Sequence, residues 1–156
     1  MTEMSKIVRT IAGVTFPFAV IFGLYVIAHG HLTPGGGFQG GAIVASACAM
    51  ILVAFGSKWT MEKIKEKRLS VLESLGAIGF IGLAFIGLFT SGVFFKNFLV
   101  GNNYLFGNEA LGKGDIFTAG VLPFMNFAVG LKVIAGLFVI VLVMAYATTM
   151  MKEGKN

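Results

Sequence analysis

The sequence predicts an all-α integral membrane protein with four transmembrane helices and both termini in the cytoplasm. Of its 156 residues, 56% are hydrophobic and 12% are charged, and the mean hydropathy is +0.88, which is typical of membrane proteins. Four apolar segments reach the length of about 20 residues that a helix needs to cross the hydrocarbon core. Basic residues gather in alternate connections, which indicates the topology. The short alternating segments of a β-barrel are absent from the sequence.

The four predicted spans cover residues 8–28, 38–56, 71–95 and 119–147, and they form one membrane domain over residues 1–156. Lys6 and Arg9 flank the start of the first span, as basic residues do in a signal peptide. The apolar stretch exceeds the usual h-region of about 7–15 residues, so we interpret it as a retained helix. Cys48 lies in the second span, where packing is favoured over redox chemistry or metal binding. A single thiol excludes an intrachain disulfide.

The net charge of +5 is explained by topology and not by a nucleic-acid partner. Lysines and arginines flank the first span, fill the connection at 57–69 and follow the fourth span. The connection between spans 1 and 2 has neither residue type, and the connection at 96–118 has only Lys96 and Lys113. The positive-inside rule therefore places both termini and the 57–69 connection in the cytoplasm, as an even number of spans requires. We expect a multi-pass protein of the plasma membrane.

The two longer connections carry predictions of their own. The charged stretch at 57–69, with Trp59, favours a short amphipathic helix that lies at the membrane surface as an anchor. Ser70 and Glu73 have the spacing of a capping box, which predicts that the third helix begins at Ser70. The outer connection at 96–118 is long enough to indicate an ordered or re-entrant loop with a function or a covering partner.

A glycine-rich turn joins the first two spans. Residues 35–40 formally match the dinucleotide motif G-x-G-x-x-G, but that motif needs a preceding strand and a βαβ unit, which a pair of membrane helices does not provide. We therefore expect a tight turn at the outer membrane edge. Glycines also let backbone amides approach a partner or an ion, so the turn is a candidate interface. Its residues are Pro34, Gly35, Gly36, Gly37, Phe38, Gly40 and Gly41.

His29 and His31, at the end of the first span, are candidates for an ion path. Two histidines could ligate a metal, but no third imidazole, thiolate or carboxylate lies nearby in sequence, so no metal site is predicted. Hydrogen bonding within the turn is the favoured interpretation. A proton relay is the weaker alternative, because histidine titrates near neutral pH.

Lys132 is the one charged residue in the apolar run at 116–151, near the middle of the fourth span. A lysine at the membrane centre costs roughly 2.5 to 3.5 kcal/mol, so it is usually compensated, and it is a candidate functional residue by default. Small residues around it favour close approach by another helix, so we expect Lys132 to face protein. Those small residues are Ala128, Gly130, Ala135 and Gly136.

Glu73 is a further ion-path candidate, with a structural capping role as the alternative. If the third helix began at Ser70, Glu73 would lie more than about 10 Å from Lys132 along the membrane normal, so no direct ion pair is expected. A carboxylate for Lys132 would then come from another polypeptide, which makes the chain a subunit. The alternative is that Lys132 extends toward the interface or binds free backbone carbonyls.

Two segments together resemble a known family. The sequence HGHLTPGGGFQGG at His29 to Gly41, with NFAVGLKV at Asn126 to Val133, is similar to the B subunit of Mrp-type (Mnh) multisubunit sodium/proton antiporters. The resemblance covers essentially the whole chain. The same subunit type occurs in archaeal membrane-bound hydrogenases and sulfur-reducing respiratory complexes, and Gln39 favours that group.

The resemblance implies a non-redox subunit packed among other membrane subunits, with Na⁺ and H⁺ as candidate transported ions and no cofactor of its own. Redox subunits in the same assembly are a further implication. The working hypothesis is that Lys132 contributes to a buried charge network coupling the two ions. The alternative is a purely structural assembly subunit. An independent channel is disfavoured because a lone lysine offers no paired site, and catalysis by the chain itself has the least support.

Overall fold

The computed structural model describes residues 4–32, 34–100 and 119–153, with side chains up to residue 151. Within these ranges the chain is helical and contains no strand. The helices are α1 (Lys6–Ala28), α2 (Gly36–Phe55), α3 (Ser57–Lys63), α4 (Glu66–Ser91) and α5 (Leu122–Glu153). Helices α1, α2, α4 and α5 are long and apolar enough to cross a membrane. The predicted all-α architecture with four candidate spans is therefore confirmed, and the side on which the termini lie stays a prediction.

The boundaries of α1 and α2 lie within two residues of the predicted spans, but the start of α4 differs. The prediction that the third helix begins at Ser70 is wrong, because α4 begins at Glu66 and the Ser70 carbonyl already accepts a bond from the Ser74 hydroxyl at 3.0 Å. Glutamate, lysine and arginine are strong helix formers, and Glu66 in the first turn complements the helix dipole. The predicted surface helix at 57–69 is therefore shorter, since α3 ends at Lys63.

The helices pack in an open row, in the order α1, α2, α5, α4. Helix α2 packs between α1 and α5, while α4 packs on α5 and makes no comparable contact with α1 or α2 in the described ranges. Helix α3 lies against α2 and α5. The row exposes much of each helix, as suits a protein surrounded by lipid or by other membrane chains. Residues 101–118 are outside the described part, so the re-entrant loop stays a prediction.

Close packing of α2 against both neighbours depends on glycine. A Cβ atom at Gly40 would lie 2.6 Å from the carbonyl oxygen of Gly23 in α1, and one at Gly41 would lie 2.9 Å from Cβ of Val133 in α5. Either distance is too short for a real Cβ contact, so a larger residue would push the helices apart. The N-terminal half of α2 has glycine at its contact positions, and α1 and α5 can therefore pack closely on either side of it.

At the other end of the helix axes, away from the glycine-rich half of α2, the chain has an apolar core. Leu52, Leu69, Phe138 and Leu142 form a buried cluster that joins α2, α4 and α5. Next to it, the buried hydroxyls of Ser57 and Thr149 hydrogen-bond at 3.0 Å and tie α3 to α5. We call this the α3 end, and we call the end with residues 29–36 the turn end.

Candidate functional site

An ion pair joins α4 to α5. Lys132 Nζ donates a hydrogen bond to Glu73 Oε1 at 3.2 Å. The expectation that these residues do not pair, and that the carboxylate comes from another polypeptide, is therefore wrong. The reason is the early start of α4: Glu73 lies seven residues beyond Glu66, about 10 Å along the helix axis, where its carboxylate is within reach of the Lys132 side chain.

The backbones of α4 and α5 meet beside the pair. Gly76 of α4 touches the backbone of Lys132, since a Cβ on Gly76 would lie 2.8 Å from Lys132 N. Gly76 is ten residues from Glu66 at the α3 end, and Lys132 is ten residues from Leu122 at the turn end, so each distance is about 15 Å. The pair therefore lies within the candidate membrane-spanning part of both helices, with Glu73 about 10 Å along α4 from Glu66.

Two glycines shape the surroundings of the ion pair. A Cβ on Gly76 would also lie 2.7 Å from the carbonyl oxygen of Ala128, so the glycine lets the α4 and α5 backbones touch. A Cβ on Gly136 would lie 3.5 Å from Cδ of Glu73, so Gly136 borders the carboxylate and leaves room for it. The helix that approaches Ala128 is thus α4 of the same chain, and the Glu73 side chain of α4 lies beside Gly136. Gly130, in contrast, packs against Ile27 of α1.

The ion pair is incompletely covered by its own chain. The side chains of Lys132 and Glu73 are 49% and 39% exposed. An ammonium group has three donors and a carboxylate has two acceptor oxygens. Within the described part of the chain the Nζ–Oε1 bond is the one contact found for either charged group. Lipid tails cannot hydrogen-bond to the remaining donors and acceptor, so this surface needs a more polar neighbour than lipid.

The candidate histidines lie at the turn end, away from the α3 end. His29 follows α1; its Nδ1 donates to the Tyr25 carbonyl oxygen at 3.2 Å, and its ring stacks on the Tyr25 ring with centroids 4.2 Å apart. His31 is half-buried in the turn. Among the described residues no group of three histidine, cysteine or acidic side chains could hold a metal ion. The structure does not bring either histidine into contact with the ion pair.

The glycine-rich turn packs mainly against its own chain. Gly36 has a φ of 72°, which favours glycine, and a Cβ there would lie 3.3 Å from the side-chain oxygen of Asn126. A Cβ on Gly37 would collide with the backbone carbonyl of Asn126. Residues 36 and 37 are buried, whereas Pro34 and Phe38 are exposed and Gly35 is half-buried. The N-terminal part of α5 therefore packs against the buried glycines of this connection.

Two asparagines were missed as individual residues by sequence reasoning. Asn126 contacts the turn as described, and Asn97 holds the start of α5: its Nδ2 donates to the Ala119 carbonyl at 2.8 Å and its Oδ1 accepts from Val121 N at 2.9 Å. The sequence offered one indication of these residues, a polar amide side chain beside an apolar run. It does not by itself indicate which backbone groups the amide binds.

Three kinds of comparison relate the chain to known proteins. A family model described as a domain related to the MnhB subunit of Na⁺/H⁺ antiporters matches residues 7–150. An uncharacterized protein of Methanocaldococcus jannaschii is 40% identical over 86% of this chain and 50% of its own length. A candidate antiporter subunit of Staphylococcus aureus, mnhB2, is 36% identical over 64 residues, which are 41% of this chain and 45% of that protein.

A solved structure is also similar. It is a chain of the membrane-bound sulfane sulfur reductase, an archaeal respiratory membrane complex, with a TM-score of 0.77 and 36% identity. The match covers 92% of this chain and 59% of that chain. The present chain thus spans about half the length of the curated relatives that it matches.

Proposed function

Since the chain belongs to the family of domains related to the MnhB subunit of Na⁺/H⁺ antiporters, we propose that it is a non-redox membrane subunit of a multisubunit complex that translocates sodium ions or protons. The resemblance noted in the sequence is confirmed by the family model and by the similar chain of a respiratory membrane complex. Other membrane subunits are the partners that such a complex implies. The similar chains come from an antiporter subunit and from an archaeal respiratory membrane complex.

The observation that carries an ion-path role is the Glu73–Lys132 pair. A carboxylate within a membrane span is a binding group for protons or sodium ions, and intramembrane ionisable residues commonly mark ion pathways. The ammonium group of Lys132, at 3.2 Å, competes with any other cation for the carboxylate. Cation binding and the position of Lys132 are therefore linked, as a coupling element requires.

The second candidate is a purely structural assembly subunit. In this case the pair holds α4 on α5 and helps to bind a neighbour, and no ion passes it. The half-exposed position of both side chains supports this alternative, because an incompletely covered polar group is suited to an interface. The glycine-rich turn does not separate the two functions, since its buried glycines pack within the chain.

Substitutions of Lys132 distinguish the ion-path role from the purely structural role. Lys132→Ala and Lys132→Arg are compared in the complete complex, with Lys63→Ala in the exposed end of α3 as a matched control. Sodium-dependent proton transport is measured in inverted vesicles, and assembly is measured as the recovery of co-purifying subunits. For an ion-path role we expect loss of transport with alanine and partial transport with arginine in those complexes that still assemble. Loss of assembly with alanine supports the structural subunit, and unchanged assembly and transport would contradict the ion-path role.

The composition of the native complex tests the wider proposal. The complex is purified in mild detergent, and the accompanying chains are identified by mass spectrometry. Antiporter-like chains with iron–sulfur and nickel-hydrogenase-like subunits would indicate a redox-driven pump. Antiporter-like chains alone would indicate an exchanger, and the absence of partner chains would overturn the proposed role as a subunit.

A further inference from the structure

The surface around the Glu73–Lys132 pair differs from the rest of α4. One helical turn before and after Glu73 lie Ser70, which is exposed, and Ala77, which is half-buried. One turn after Lys132 lies Gly136, which is also half-buried. These three neighbours of the pair are therefore small.

The opposite side of α4 has large apolar side chains. Leu75 is 58% exposed and Phe89 is 85% exposed. At 3.6 residues per turn, Leu75 lies about 160° around the helix from Ala77, although the two residues lie at nearly the same depth. The side with Leu75 and Phe89 is suited to lipid, because its surface offers only apolar groups. The side with Ala77 combines a half-exposed ion pair with a surface on which another backbone can approach closely.

From this contrast we propose that the face formed by Ser70, Glu73, Ala77, Lys132 and Gly136 is the docking surface for a transmembrane helix of another subunit. We call it the ion-pair face. The inference rests on the proposed function in one respect, that the chain works within a multisubunit membrane complex. It goes beyond that function because it states which face of the chain meets the neighbour and what the neighbour offers.

The chemistry of the face defines its occupant. Glu73 and Lys132 sum to zero charge, so a further charged group would be left uncompensated within the membrane span. The unused donors of the ammonium group and the second carboxylate oxygen instead suit a neutral side chain that both donates and accepts, such as asparagine, glutamine, serine or threonine. Small residues on the partner helix would let it approach Ala77 and Gly136. The occupant is thus a helix with a small-residue contact surface and one neutral hydrogen-bonding side chain.

Photo-crosslinking at two positions of equal depth tests the face. A photoreactive aliphatic diazirine amino acid replaces Ala77 on the ion-pair face or Leu75 on the opposite side, within the complete complex in native membranes. After irradiation, adducts are identified by mass spectrometry. We expect position 77 to form an adduct with a different subunit, and position 75 to form mainly lipid adducts.

Each other result has a defined meaning. Adducts of position 77 with lipid, or with a second copy of this chain, would overturn the proposal. If partner subunits co-purify but no protein adduct forms at position 77, the docking surface is refuted while the proposed function stands. If no partner subunits accompany the unmodified chain, the proposed function itself fails.

A steric variant provides a second measurement in case the photoreactive residue prevents docking. Ala77→Phe is compared with Leu75→Phe, and the helical content of the purified chain verifies that each variant is folded. Loss of partner subunits for Ala77→Phe alone supports docking on the ion-pair face. Equal recovery of partner subunits with both folded variants would count against it.

Discussion

Gly76→Ala would test whether glycine at this position permits the contact between α4 and α5. The added Cβ would lie 2.7 Å from the Ala128 carbonyl oxygen and 2.8 Å from Lys132 N. Both atoms belong to the backbone of α5, so no side-chain rotation can relieve the contact. Ordinary contacts of a Cβ atom begin at 3.4 Å, so α4 and α5 would have to move apart by roughly 0.7 Å.

Two opposing contributions determine how much Gly76→Ala changes the free energy of unfolding. Overpacking of this kind costs about 1 to 3 kcal/mol. Replacing glycine by alanine within a helix contributes about 1 kcal/mol in the stabilising direction. The net change in the free energy of unfolding is therefore about 0 to 2 kcal/mol of destabilisation for Gly76→Ala.

A second glycine of α4 isolates the contact term. A Cβ on Gly82 would have nothing within 4 Å, so Gly82→Ala receives the helix-propensity term without the collision. The difference between the two variants is then the cost of the collision, about 1 to 3 kcal/mol. The free energy of unfolding is measured for both purified chains by denaturant titration in detergent, followed by far-ultraviolet circular dichroism. Equal stability of Gly76→Ala and Gly82→Ala would refute the close packing at Gly76.

Three further predictions concern contacts away from the ion pair. Asn97→Ala removes both bonds to the start of α5 and should cost about 1 to 3 kcal/mol, seen as faster amide hydrogen exchange near Val121; unchanged exchange would contradict this role. Gly40→Ala would collide with α1 and should lower the thermal unfolding temperature relative to Gly13→Ala, whose Cβ meets nothing within 4 Å; equal temperatures would argue against the contact. Ser57→Ala removes the buried bond to Thr149 and should cost about 1 kcal/mol in denaturant titration, and a neutral effect would count against that bond.

Much of the fold could be predicted because membrane helices are encoded by local properties of the chain. A run of about 20 apolar residues forms a helix in lipid whatever its neighbours do, since backbone groups have no other hydrogen-bonding partner there. The bounds of α1 and α2 followed from their sequences to within two residues. The start of α4 did not, because a charged stretch can either end in a surface helix or continue into the membrane helix. The capping-box spacing at Ser70 favoured the wrong choice.

Some features of the candidate site could likewise be predicted from the sequence, and others only the structure shows. The sequence by itself determined that Lys132 is exceptional, since a charge within a long apolar run is costly in any packing. It also showed the small residues beside Lys132, at which a helix could approach. Only the tertiary structure decided that the approaching helix is α4 of the same chain and that Glu73 is the partner of Lys132. The physical reason is that the hydropathy of a helix depends only on its own residues. The position of one helix along another depends on contacts between their backbones, such as Gly76 against Ala128 and Lys132.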